Sequence, residues 1–174
     1  ELRRPVHSGN AMKNIRLVLG FDKHNNGGHS MTESPSKTPI HLWIVGILSL
    51  LWNAGGAYDY TATQMRIDSY MSQFPQEQLD YFYSFPAWAE AFWAIGVWGS
   101  LLGSIALLMR KKWAVWLFGA AILGLAGTSV YTMVLSDGMA IMGDGAAIFT
   151  AMIWVIALFL YFYSNSLSKR GVLS

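Results

Sequence analysis

Glu90, Asn53, Asp59 and Arg66 are the residues whose types and positions point to chemistry, because each lies inside or just beyond a long apolar stretch. An ionisable or amide group at membrane depth is costly, so it marks a ligand, an ion path or a proton relay unless a partner compensates it. Glu90 stands about one turn into the stretch 87–109, flanked by Trp88, Phe92 and Trp93, surroundings that disfavour a bare carboxylate. Asn53 lies deeper, in the stretch 40–60, and Asp59 closes that stretch on the same half as Glu90. Arg66 is the sole basic residue there. Two arrangements follow. Arg66 pairs with Glu90 or Asp59 and fastens the next loop to the bundle, or the group forms a proton-linked or ligand-binding cluster.

Other chemistries are missing their parts. There is no cysteine, hence no thiolate nucleophile, disulfide, iron–sulfur ligand or cysteine zinc site. His41 is the only histidine near an apolar stretch, so one chain cannot build a bis-histidine haem, and His7, His24 and His29 lack zinc-motif spacing. Gly119, Gly124 and Gly127 sit in an apolar run with no Gly-Lys-Ser/Thr after them. Serines at membrane depth have no histidine partner. Asp137-Gly138 and Asp144-Gly145 are ordinary turn pairs. No catalytic residue, no metal site and no cofactor is expected.

The elements that must position the four residues are the stretches 40–60, 87–109, 113–135 and 146–163. Each is close to the ~20 residues that a helix needs to cross a bilayer core. The chain is 53% hydrophobic and 13% charged, whereas soluble domains carry about 25% charged residues. The fold class is therefore all-α, an integral membrane four-helix bundle. The first stretch is too long for a signal core and lacks a clean cleavage site, so it reads as a retained span. Between the first two spans, Ile67, Tyr70, Met71 and Phe74 follow helical spacing, and Pro75-Gln76-Glu77-Gln78 starts a second helix. These are read as two short interfacial helices, anchoring the loop or covering a pocket as a lid. Residues 1–36 form a flexible segment in which Met31 reads as a native start, leaving residues 1–30 as an upstream extension; residues 37–165 form the membrane domain and 166–174 a tail.

Charge gives an orientation. Lys37, Arg110, Lys111, Lys112, Lys169 and Arg170 fall on one side of the spans, and Asp59, Asp68, Glu77, Asp80, Asp137 and Asp144 on the other. The positive-inside rule puts both termini in the cytoplasm and the acidic connections outside. The net charge of +2 forms no phosphate-tracking stripe, so nucleic acid is not an expected partner. The expected partners are the lipid bilayer and either further copies of the chain or a larger membrane complex. Small residues at Gly96, Ser100 and Ser104, at Gly99 and Gly103, and at Ala120, Gly124 and Thr128 allow close helix approach, within the bundle or between copies.

The segments Leu51-Trp52-Asn53-Ala54, Ala57-Tyr58-Asp59-Tyr60, Phe82-Tyr83-Ser84-Phe85-Pro86-Ala87-Trp88 and Ala91-Phe92-Trp93-Ala94-Ile95-Gly96-Val97-Trp98-Gly99 resemble a group of small uncharacterised proteobacterial four-helix membrane proteins, some labelled sugar transporter. The resemblance spans about residues 38–163 and implies no particular site residue. In size and span count the chain is also similar to DoxX-type and small multidrug-resistance proteins. It departs from the latter because Glu90 lies in the second span, where their essential glutamate lies in the first. The resulting expectation is a small transporter-like or accessory component acting as an oligomer. The alternatives are a non-catalytic subunit of a larger membrane complex and, less favoured, a DoxX-like quinone-linked protein.

Overall fold

The computed structural model describes residues 39–174. The expectations for residues 1–36 and for Lys37 lie outside the described residues. The helices are α1 (Ile40–Gln64), α2 (Asp68–Met71), α3 (Gln76–Tyr83), α4 (Ala87–Leu108), α5 (Trp113–Val130), α6 (Gly138–Met142) and α7 (Asp144–Lys169). A π-helical turn, Tyr131–Leu135, continues α5, and no strand occurs among the described residues. Among the described residues four helices are long and apolar enough to cross a membrane: α1, α4, α5 with its π turn, and α7. The protein is an all-α integral membrane four-helix bundle, with α2 and α3 as short helices between the first two spans. The last span runs past Tyr163 to Lys169.

Starts and stops follow from local chemistry. Pro39, Pro75 and Pro86 immediately precede α1, α3 and α4, with φ of −67°, −59° and −68°. Proline lacks a donor where a helix start would leave one unsatisfied, and its ring presets φ. Three helices end in the same reversal. At α1 the N–H groups of Arg66 and Ile67 donate to the carbonyls of Thr63 and Ala62; at α4 those of Arg110 and Lys111 donate to Leu107 and Ala106. At α7, Gly171 and Val172 donate to Ser168 and Leu167. The turning residue is left-handed in each, with φ of 51° at Arg66, 57° at Arg110 and 71° at Gly171. Glycine is the usual choice for this position, so the two arginines hold a backbone shape that side chains disfavour.

Packing is sequential. α4 and α5 form the closest pair, α1 lies against the other side of α4, and α7 lies against α5. The α4–α5 contact depends on missing side chains. A methyl carbon at Gly96 would sit 3.3 Å from the Leu125 nitrogen, and one at Gly99 3.2 Å from the Ala121 nitrogen. At Gly124 it would lie 2.6 Å from the Phe92 carbonyl and collide with the Gly96 backbone. Gly127 makes room for the Phe92 ring and Gly103 for the Phe118 ring. The small-residue edges are thus occupied inside the bundle. At the end carrying Arg110–Lys112, Leu42, Leu107, Phe118, Leu160, Leu167 and Leu173 belong to one buried apolar cluster.

Overpacking such a contact costs about 1–3 kcal/mol. Gly124→Ala is expected to lower the thermal stability of the purified protein clearly, whereas Gly119→Ala, whose methyl meets only the Tyr161 ring edge at 3.6 Å, should leave it near wild type. Equal melting of the two variants in a detergent thermal-unfolding assay would contradict this packing.

Candidate functional site

The structure separates the residues that the sequence grouped. Asn53 is buried on α1, and its Nδ2 donates to Ser104 Oγ at 2.9 Å and to the Ser100 carbonyl at 3.3 Å, both on α4. Ser104 in turn donates to the Ser100 carbonyl at 3.0 Å, and Ser100 to Gly96 at 2.8 Å. In hydrocarbon no water can relieve an unpaired amide, so this pairing fastens α1 to α4.

Asp59 belongs to a different contact. Its carboxylate accepts the Tyr70 hydroxyl at 2.6 Å, and the Tyr70 ring meets Tyr58 edge-on at 5.4 Å. Burial, and then the hydrogen bond to Asp59, push the Tyr70 phenol above its ordinary value. A raised folded-state value means that the bond's contribution is complete below about pH 10, where the unfolded phenol is still protonated, and fades as pH rises through the folded-state value. It is therefore constant across neutral pH.

Arg66 does not pair with Glu90 or Asp59, and no ion pair joins them among the described residues. The left-handed turn at Arg66 carries its side chain out of the bundle and across α3, where the guanidinium lies 4.2 Å from the Tyr83 ring centre. The planar cation finds a ring face instead of a carboxylate. Glu90 is half-buried in the first turn of α4, a position that the positive end of the helix dipole favours. Trp93, one turn further on, packs edge-on against Tyr60 at 5.1 Å, and the Glu90 carboxylate lies within electrostatic reach of Tyr60. Among the described residues it makes no hydrogen bond or ion pair.

Around these residues runs an aromatic network. Phe74 meets Phe82, Phe82 stacks on Trp93 at 6.2 Å, Phe85 contacts both Trp93 and Tyr131, and Trp88 meets Tyr131 at 5.6 Å. It fastens α3 to the mouths of α4 and α5. Tyr81 and Ser136 share a hydrogen bond of 3.0 Å, and Ser136 caps the Tyr131 carbonyl at 2.8 Å, closing the π turn. Burial raises the Tyr81 phenol's pKa, with the Ser136 bond opposing.

Two ties were not anticipated. Trp154 Nε1 donates to Ser129 Oγ at 3.1 Å and joins α7 to α5; an indole N–H in the middle of a span demands an acceptor, which was the available signal. The Tyr70 bond to Asp59 had none, because it needs the fold of the loop. No group of metal-binding side chains occurs among the described residues. Comparison with protein-family models, curated proteins and solved structures found no match to this chain.

A double-mutant cycle separates the two possible partners of Arg66. Arg66→Gln and Tyr83→Leu should couple by about 0.5–1 kcal/mol, while Arg66→Gln and Glu90→Gln should add to within about 0.5 kcal/mol. Strong coupling to Glu90 in chemical or thermal unfolding would restore the ion pair.

Proposed function

We propose that this chain is an accessory component of the bacterial inner membrane, held with both termini in the cytoplasm, that associates with a larger membrane complex and does not itself form a transport path. The observation that carries this reading is the pairing of mid-span polar groups within the bundle: Asn53 with Ser104 and Ser100, and Trp154 with Ser129. A path for a polar solute needs such groups turned toward water or substrate. The basic side chains Lys111, Lys112, Lys169 and Arg170 support the orientation.

A second reading, a small transporter-like oligomer, is favoured by one feature: the half-buried Glu90 carboxylate, which could couple proton uptake to a ligand. Purification of the full chain in mild detergent with measurement of its mass and copurifying proteins tests the two. A stoichiometric larger partner supports the accessory role. A lone oligomer showing proton-linked flux that Glu90→Gln abolishes would replace it. For orientation, an impermeant thiol reagent on intact cells is expected to label Ser72→Cys and to spare Ser168→Cys, an unambiguous comparison because the chain has no cysteine of its own.

A further inference from the structure

Two separate basic segments are joined through their backbones at one end of the bundle. α4 ends in the left-handed turn at Arg110, followed by Lys111 and Lys112. α7 ends at Lys169 and Arg170, and Gly171 turns the following residues back, so that Leu173, only 1% exposed, joins the apolar cluster that holds Leu107 and Phe118. The Ser174 N–H then donates to the Arg110 carbonyl at 2.7 Å, and the Lys112 N–H to the Ser174 carbonyl at 3.2 Å. These two backbone bonds and the Leu173 anchor leave the side chains of Lys111, Lys112, Lys169 and Arg170 exposed on one surface.

The acidic residues of the described chain stand far from that surface. They lie between residues 59 and 90 or at 137 and 144, at the opposite ends of the spans, and against the four cations the terminal carboxylate of Ser174 sets at most one negative charge. A helix as long as α4, with 22 residues, separates the two ends by about 30 Å, several times the ~8 Å over which salt screens a charge. Directly beside the basic turn, Trp113 and Trp116 share a face of α5 and are 76% and 81% exposed. Amphipathic rings left this bare at the end of a span belong at headgroup level, so the cations beside them stand at the depth of lipid phosphates. A soluble anion would have no use for the two indoles.

We propose that this end of the bundle is a binding surface for the phosphodiester headgroups of anionic glycerophospholipids. The lysine and arginine side chains supply charge and donors to phosphate oxygens, while Trp113 and Trp116 hold the surface at the correct depth. The docked tail sets the spacing of the two basic segments before any lipid arrives.

The test uses the full-length protein in detergent, with phosphatidylglycerol, phosphatidylcholine or inorganic phosphate added at matched concentration and thermal unfolding as the readout. Phosphatidylglycerol should raise the unfolding temperature well above the other two, with the difference shrinking as salt is added. In the fourfold variant Lys111→Gln, Lys112→Gln, Lys169→Gln, Arg170→Gln the preference should disappear, since each charge accounts for about a five-fold change in affinity for an anionic surface. Should that variant misfold, the two paired variants, one per segment, are each expected to lose part of the preference while keeping wild-type helix content. Equal stabilisation by the two lipids, or a preference that survives neutralisation, would overturn the proposal. Stabilisation by inorganic phosphate alone would overturn it in favour of a soluble anion.

Discussion

The backbone contact between Gly96 on α4 and Gly124 on α5 is the constraint from which the rest of the bundle follows. Lipid is as apolar as leucine, so helices in a bilayer gain little by hiding methyl groups from it; they associate through close dispersion contact and hydrogen bonds. Removing side chains at Gly96, Gly99 and Gly124 lets two helices approach along much of their length. Phe92 then fills the space above Gly127, and Phe118 the space above Gly103. With this pair fixed, α1 and α7 are left to cover its two outer sides.

Each outer helix is attached by a polar group that has no other outlet. Asn53 secures α1 to α4 through Ser104 and Ser100, and Trp154 secures α7 to α5 through Ser129. At the acidic end the attachments change character, because water is within reach and charges can be tolerated. There the Tyr70 bond to Asp59, the Arg66 contact with Tyr83 and the aromatic chain from Phe74 to Tyr131 hold α2 and α3 across the ends of the spans. Glu90 sits between these zones, half-buried and close to Tyr60, which is why it remains the residue of most chemical interest.

Much of this architecture was legible in the sequence. Hydropathy and length reveal spans without knowledge of tertiary contacts, and Pro75 announces the helix that follows it. The partners of the polar residues were not legible in the same way. As the one cation on its side, Arg66 suggests a carboxylate partner or a place in a polar cluster, but its left-handed backbone aims it at an aromatic face, and arginine gives no sign of that conformation as glycine would. Asn53 and Asp59 look alike as polar residues on one helix, yet one faces α4 and the other α2. The small-residue edges allow close approach within the bundle or between copies, and only the placement of α5 against α4 shows that Gly96, Gly99 and Gly124 are used within the bundle.

The central claim is that the mid-span polar groups are spent on holding helices together and are closed to water. Ser104 tests it most directly, since it is 0% exposed and accepts the Asn53 amide. In a Ser104→Cys variant reconstituted in bilayers, a small water-soluble methanethiosulfonate should fail to modify the thiol, while Ser72→Cys at the exposed end of α2 reacts readily. Modification of Ser104→Cys at a rate comparable to that of Ser72→Cys would show water among these helices and contradict the account.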